Sequence, residues 1–191
     1  MLRDKKIGFA LCGSFCTFGA AIPEIANLAA AGAQITPIMS FNAYHTDTRF
    51  GRAEDFVRTI EEICAQKILH TLTDVEPIGP KGALDLLIIA PCTGNTLAKL
   101  NHSIADTPVT LAVKSHLRNA RPVLIAVSTN DALAGAAENI GGLLARRHIF
   151  FVPFGQDDPQ RKPRSLISEM TLIPEAAEAA LQGEQIQPIL I

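Results

Sequence analysis

The chain has 191 residues, enough for one domain over residues 1–191 that buries roughly two-thirds to three-quarters of its unfolded surface. Its 17 basic and 19 acidic side chains give a formal net charge of −2, which provides no electrostatic attraction to nucleic acid or to an anionic membrane. No apolar run approaches the ~20 residues of a transmembrane helix, and four cysteines without a C-x-x-C pair predict reduced thiols and a cytoplasmic protein.

Apolar runs alternate with stretches of helical periodicity along the chain. The runs that predict strands are 6–12, 33–39, 84–90, 121–127 and 148–154. The stretches that predict helices are 20–32, 52–66, 94–105, 131–147 and 174–183. Pro37 fits this pattern poorly because proline cannot donate to a strand ladder. The alternation predicts an α/β fold, a doubly wound parallel sheet in a Rossmann/flavodoxin-like three-layer sandwich.

Small polar residues follow each of the first four predicted strands. The segments are CGSFCTFG, SFNAYHTDTRFG, PCTGNT and STND. Any one of them is explained by a turn alone. In an open α/β sheet, however, the carboxyl ends of parallel strands share one edge, and ligands bind there. Four such segments at one edge therefore predict a ligand site.

The first of these segments has the composition of a monophosphate site. Gly13 permits a tight turn, and Ser14 and Phe15 lie at the predicted start of a helix, where backbone N–H groups are free to bind an anion. Ser40, just after the second strand, offers another hydroxyl. Because the G-x-G-x-x-G and G-x-x-x-x-G-K-[ST] patterns are both absent, a dinucleotide fold and a P-loop are not predicted. A plain strand-to-helix turn stays open as the alternative.

The segment PCTGNT combines small side chains with hydrogen-bonding groups. Thr93 and Gly94 leave room for a flat ring against the backbone, while Asn95 and Thr96 offer donors to ring oxygens and nitrogens. A monophosphate together with a flat heteroaromatic ring suggests FMN.

These segments resemble the FMN-binding flavoprotein family of homo-oligomeric, flavin-containing cysteine decarboxylases, over roughly residues 5–155. Gly13 and Ser14 match the family's Gly-Ser loop, and Pro91–Thr96 resembles its Pro-Ala-Ser-Ala-Asn-Thr motif. Its Ala-Met-Asn element is matched in part by Ser128, Thr129 and Asn130. The resemblance implies an α/β fold, FMN bound by these segments, and a homo-oligomer that is a trimer or a multiple of trimers.

The sequence also departs from the family. Its decarboxylases carry a histidine about a dozen residues before the Ala-Pro, where this chain has Pro77. The methionine of Ala-Met-Asn is missing, and no cysteine-bearing flap lies near the C-terminus. Cysteine-type oxidative decarboxylation is therefore not expected.

Five longer segments resemble one branch of the family across essentially the whole chain. They are TRFG, PCTGNT, AVSTNDALAG, FVPFGQD and ALQGEQIQPI. Members of that branch form one half of a two-component synthase in endospore-forming bacteria, which makes a pyridine dicarboxylate from its dihydro precursor. The resemblance implies a dehydrogenase-like partner, the A subunit, that carries NAD(P), and a location in the mother-cell cytoplasm. Either a flavin or the partner's nicotinamide would accept the hydride, and the sequence leaves both open.

A dicarboxylate substrate directs attention to arginine. We expect Arg49 to clamp a substrate carboxylate by paired hydrogen bonds, with Asn95 as the second catalytic candidate. The alternatives for Arg49 are a solvated loop charge or an ion pair with Asp47 or Glu54. Three basic residues of the loop 155–165 form either a lid or a solvated loop: Arg161, Lys162 and Arg164.

Cys92 and the histidines complete the candidates. Cys92 suits a nucleophile beside a helix N-terminus, but a small core residue is the favoured interpretation. The five histidines lack metal-ligand spacing, so no metal is predicted.

Three functions stay open. They are an FMN-type component of the synthase, an FMN-dependent decarboxylase or flavin prenyltransferase, and a non-catalytic scaffold with a phosphate-only pocket.

Overall fold

A computed structural model describes residues 2–80 and 82–191, in which strands and helices alternate. The strands are β1 (Lys6–Leu11), β2 (Gln34–Met39), β3 (Leu86–Cys92), β4 (Val123–Thr129), β5 (Ile149–Phe151), β6 (Phe154–Gly155) and β7 (Leu166–Ser168). The α-helices are α1 (Phe18–Ala30), α2 (Phe41–His45), α3 (Ala53–Cys64), α4 (Leu72–Val75), α5 (Gly94–Asn101), α6 (Pro108–Leu117), α7 (Ala137–Leu144) and α8 (Ile173–Leu181).

The strands form one sheet dominated by parallel pairs. Strands β2, β1, β3 and β4 are parallel neighbours in that order, and β5 continues beside the first half of β4. The parallel part therefore has the strand order 2-1-3-4-5. The chain passes from β1 to β2 on one side and then to β3 on the other side of β1, so the direction in which strands are added reverses between β1 and β3. Ligands of open α/β sheets bind at such a reversal. This topology confirms the predicted doubly wound, flavodoxin-like sheet.

Both faces of the sheet are covered, because side chains of each strand alternate between two apolar layers. Ile7, Phe9 and Leu11 of β1 pack on the face covered by α1, α3 and α8, while Ala10 packs on the face covered by α5, α6 and α7. The strand β3 alternates in the same way. Three layers follow directly from these two cores.

The prediction of a single strand over 148–154 is wrong. Residues Ile149–Phe151 pair parallel with β4, whereas Phe154–Gly155 pair antiparallel with Leu166–Ser168. Pro153 separates the two pieces, and its missing N–H prevents the ladder from continuing through it. Strand β7 then pairs antiparallel with the end of β4. As a result, the polar loop 155–165 is the tip of a hairpin at the carboxyl edge of the sheet.

Pro37 is accommodated because β2 is the edge strand of the parallel order. Its carbonyl accepts a hydrogen bond from the Leu69 N–H at 2.9 Å, and the Met39 N–H donates to the Leu69 carbonyl at 3.0 Å. The missing donor of Pro37 therefore interrupts no strand–strand ladder.

Three negative findings apply to the described residues. No helix has the length and apolarity needed to cross a bilayer. The four cysteines are free thiols. No three acidic, histidine or cysteine side chains come close enough together to hold a metal ion.

His116 is a buried titratable residue in the helical layer. It is 1% exposed, and its Nε2 lies 2.9 Å from the Pro122 carbonyl, so the neutral ring donates that hydrogen bond. Burial lowers the pKa of His116 to about 4, because the charged form would lose its hydration.

Acidification should therefore destabilise the fold through His116. The histidine contribution is fully present above pH 6.5, the unfolded-state pKa, and is lost as the pH falls toward 4, because the unfolded chain binds the proton more tightly. That difference corresponds to about 3 kcal/mol. Urea unfolding at pH 7.5 and 4.5 should show a flatter pH dependence for His116→Gln, while His102→Gln, which removes an exposed histidine, should behave as wild type. An equally steep loss in His116→Gln would contradict this assignment.

Candidate functional site

A cleft of about 770 Å³ opens at the carboxyl ends of the parallel strands. Its volume lies within the ~300–1,000 Å³ typical of small-molecule sites. The loops after β1, β3 and β4, the segment between α2 and α3, and the β6–β7 hairpin all contribute to its walls. Most of the residues predicted from the sequence line it: Gly13, Ser14, Phe15, Arg49, Thr93, Gly94, Asn95, Ser128, Thr129 and Asn130.

Three predicted residues do not line the cleft. The Ser40 hydroxyl accepts from the Ala43 N–H at 3.3 Å and so caps α2. The buried Thr96 hydroxyl donates to the Cys12 sulfur at 3.3 Å. Pro91 is buried in β3, where its carbonyl accepts from the Cys12 N–H at 3.1 Å. These three residues hold the loops that form the cleft.

The loop after β1 presents donors to the cleft. The Ser14 hydroxyl lies 2.8 Å from the Ser128 hydroxyl and 3.2 Å from that of Thr17. Among the described residues, the backbone N–H groups of Phe15 and Cys16 have no acceptor, as expected for the first residues of a helical segment. A hydroxyl beside two free N–H groups suits an anion.

The loop after β3 packs closely against the loop after β4. A Cβ on Gly94 would lie 2.7 Å from the Asp131 Oδ1 and 2.8 Å from the Thr129 hydroxyl. The close approach that requires glycine is therefore to these side chains. Gly13 differs, because a Cβ there would meet its neighbours at 3.5 Å or more and its φ is not positive.

Replacing Gly94 with alanine should therefore lower stability by about 1–2 kcal/mol, since Asp131 and Thr129 must move to admit the methyl group. Gly13→Ala is the matched control and should change stability by less than about 0.5 kcal/mol. Chemical denaturation measures both. Equal effects of the two substitutions would contradict the packing described at Gly94.

The charged residues of the cleft are unevenly compensated. Lys162 and Asp157 pair at 2.7 Å, and the ammonium holds the pKa of the Asp157 carboxyl below its usual range. Asp131 accepts from the Thr129 hydroxyl at 2.5 Å. Arg49 is exposed, with its guanidinium 4.9 Å from the centre of the Phe50 ring.

Neither carboxylate considered as an ion-pair partner for Arg49 is paired with it. Asp47 accepts from the Ala53 N–H at 2.8 Å, and Glu54 pairs with Arg52 at 3.0 Å. Within residues 2–80 and 82–191, no carboxylate lies within salt-bridge distance of Arg49. Its charge is therefore available in the cleft.

Comparison with known proteins places the chain in a family. The sequence profile described as Flavoprotein matches residues 1–152. The chain belongs to the flavoprotein family. It is 44% identical over 190 residues to the B subunit of dipicolinate synthase from Bacillus subtilis (strain 168), covering 100% of this chain and 95% of that protein.

Solved structures agree with this placement. The B subunit of dipicolinate synthase from Bacillus halodurans C superposes with a TM-score of 0.92 at 43% identity, over 100% of this chain and 97% of that one. An FMN-dependent cysteine decarboxylase shares the fold with a TM-score of 0.71 at 22% identity, over 96% and 99% of the two chains. This flavoprotein is thus a homologue of the dipicolinate synthase B subunit.

Cys92 is a core residue of this flavoprotein, as the favoured interpretation predicted. Its side chain is fully buried, and burial raises the pKa of the Cys92 thiol well above its usual value. A buried, protonated thiol is a poor nucleophile.

None of the five histidines of this flavoprotein lines the cleft. Pro77, at the position of the decarboxylase histidine, lies in a short 3-10 turn outside it. The carboxylates of Asp131 and Asp157 are the acidic groups in the cleft.

Sequence patterns had not assigned several lining residues, among them Cys16, Thr48, Phe50, Asp131, Asp157 and Ser165. Four of them are adjacent to predicted residues. Cys16 follows Phe15, Thr48 and Phe50 flank Arg49, and Asp131 follows Asn130. Asp157 and Ser165 belong to the hairpin, whose fold over the cleft has no local pattern.

The donor set of the cleft fits FMN. The Ser14 hydroxyl and the free N–H groups of Phe15 and Cys16 suit its phosphate. The N–H groups of Gly94 and Asn95 begin α5 and have no acceptor among the described residues, so they can bind the edge of a ring.

Proposed function

We propose that this flavoprotein binds FMN in the cleft and acts as the B subunit of a dipicolinate synthase. With the A subunit, it would convert the dihydrodipicolinate-level intermediate of the lysine pathway to dipicolinate during sporulation, in the mother-cell cytoplasm. A homo-oligomer, a trimer or a multiple of trimers, and NAD(P) on the A subunit complete the proposal.

One observation carries it. Arg49, a cation without a carboxylate partner among the described residues, lines the same cleft as Ser14 and Asn95. The cleft thus joins a phosphate site and a ring site to an uncompensated guanidinium. That combination suits a flavin beside a small dicarboxylate.

The proposed roles follow from side-chain chemistry. Ser14, with the N–H groups of Phe15 and Cys16, would hold the phosphate. The segment Thr93–Asn95 would contact the ring. Its small side chains would let the ring come close to the backbone. Arg49 would bind a substrate carboxylate through paired N–H···O hydrogen bonds.

The reaction removes one hydride and one proton from the dihydropyridine ring and leaves it aromatic. FMN, when bound, supplies a two-electron acceptor for the hydride. Asp131 would take the proton at Oδ2, since its Oδ1 already accepts from Thr129. Desolvation of the cleft by the partner protein would strengthen the Arg49 contact.

The alternative reactions have less support. Histidine-assisted decarboxylation is not supported, because no histidine lines the cleft. A scaffold that binds only a phosphate would leave the N–H groups of Gly94 and Asn95 without a ligand acceptor.

Co-purification of this chain with the A subunit tests the proposal directly. Together they should form dipicolinate, followed by its ultraviolet absorbance, faster than the isolated A subunit does. An equal rate from the isolated A subunit would end the catalytic role of this chain. Turnover of a peptidyl-cysteine or a prenyl phosphate by this chain without its partner would favour the alternative enzymes.

A further inference from the structure

Three hydroxyl groups meet where the loop after β1 contacts the end of β4. The Thr17 hydroxyl lies 2.7 Å from that of Ser128, which lies 2.8 Å from that of Ser14. The third side, from Ser14 to Thr17, is longer, at 3.2 Å. Thr17 is 3% exposed and Ser128 is 6% exposed, whereas Ser14 is half-buried and faces the cleft.

The number of protons limits how these groups can be arranged. Each hydroxyl donates once, so a closed ring of three hydrogen bonds uses all three protons. Ser14 would then present only lone pairs to the cleft and would repel an anion. A phosphate only accepts, so the Ser14 proton must leave the ring to reach it.

The distances indicate which bond is given up. The 3.2 Å contact between Ser14 and Thr17 is the weakest side of the triangle. Without it, Thr17 donates to Ser128, Ser128 donates to Ser14, and Ser14 donates to the ligand. All three protons then point one way, and each donation strengthens the next.

We propose that Thr17 and Ser128 are positioning residues that form a one-way hydrogen-bond chain directing the Ser14 hydroxyl proton to the phosphate of the bound ligand. This inference rests on the proposed FMN site. Thr17 does not itself line the cleft, but its hydroxyl contacts Ser14 and Ser128, which do, and lies 3.7 Å from the sulfur of Cys16, which also lines it.

Thr17→Val is the decisive variant, because it removes the hydroxyl and keeps the shape of the side chain. FMN and riboflavin differ by the phosphate, so titrations with both separate a phosphate effect from a structural one. Thr17→Val should weaken FMN binding about three- to fivefold, the worth of one neutral hydrogen bond, and leave riboflavin binding unchanged. Thr17→Ser should restore wild-type FMN affinity.

Coupling to Ser14 gives a second test. Ser14→Ala should weaken FMN binding about tenfold or more, since a hydrogen bond to a charged group is lost. Adding Thr17→Val to Ser14→Ala should cause no further loss of FMN affinity, because the hydrogen-bond chain would already lack the hydroxyl that reaches the phosphate. Additive losses of affinity would contradict the proposed hydrogen-bond chain.

Thr110→Val is the matched control. Thr110 is 2% exposed, and its hydroxyl lies 2.8 Å from that of Thr107, away from the cleft. It should leave the affinity for both flavins unchanged. If Thr17→Val does not fold, Ser128→Ala should show the same loss for FMN alone.

Two results for Thr17→Val would overturn the proposed hydrogen-bond chain. One is an equal weakening of FMN binding and riboflavin binding, and the other is no change in the binding of either flavin. Wild-type protein that binds riboflavin as tightly as FMN would also overturn it, while leaving a flavin site. Wild-type protein that binds neither flavin would instead refute the proposed function.

Discussion

Replacing Arg49 with glutamine should lower kcat/KM for the dihydrodipicolinate-level substrate by about 30- to 100-fold in the assembled two-component synthase. Glutamine keeps a donor but loses the charge and the paired N–H groups, and a hydrogen bond between charged groups contributes about 2–3 kcal/mol. No described carboxylate pairs with Arg49, so the substitution should leave the free energy of unfolding nearly unchanged.

Arg52→Gln is the matched control, because Arg52 lies three residues further along the chain, pairs with Glu54 and is outside the cleft lining. It should retain wild-type kcat/KM. A similar loss in both variants would indicate general loop damage, and no loss in Arg49→Gln would remove Arg49 from the site.

Asn95→Ala should weaken FMN binding about three- to fivefold and slow dipicolinate formation by a similar factor, because a polar contact to the ring is lost. Asn95 follows the first residue of α5 and lines the cleft. Thermal unfolding should change little.

Asn119→Ala should show the reverse pattern. The Asn119 side-chain amide donates to the Gly79 carbonyl at 2.9 Å, away from the cleft. Its loss should lower stability and leave FMN binding and turnover intact. An Asn95→Ala protein with wild-type FMN affinity would contradict the proposed ring site.

The parallel part of the sheet could be predicted because strands that are buried on both faces produce continuous apolar runs. The run 84–90 and β3 (Leu86–Cys92) differ by two residues. The hairpin formed by β6 and β7 could not be predicted from its strands of two and three residues, since their pairing depends on contacts with β4. Helix α6 was not among the predicted helices, although its start had a local sequence pattern, with Thr107 as cap and Pro108 in the first turn.

The site was predictable where it depends on strand ends and not where it depends on distant pairs. Ser14 and Asn95 each follow an apolar run, which predicts their place at one edge. Thr17 could not be assigned from the sequence, because its partner Ser128 lies 111 positions away. Thr96 has the small polar side chain expected of a cleft residue, but its hydroxyl points into the core toward Cys12.

The most direct test of the central claim is a titration of the purified wild-type chain with FMN, followed by visible absorbance and flavin fluorescence. The convergence of Ser14, Asn95 and the free N–H groups in one cleft predicts saturable binding of one FMN per chain, with a shifted flavin spectrum. A flavin spectrum and fluorescence that stay unchanged throughout the titration would contradict it.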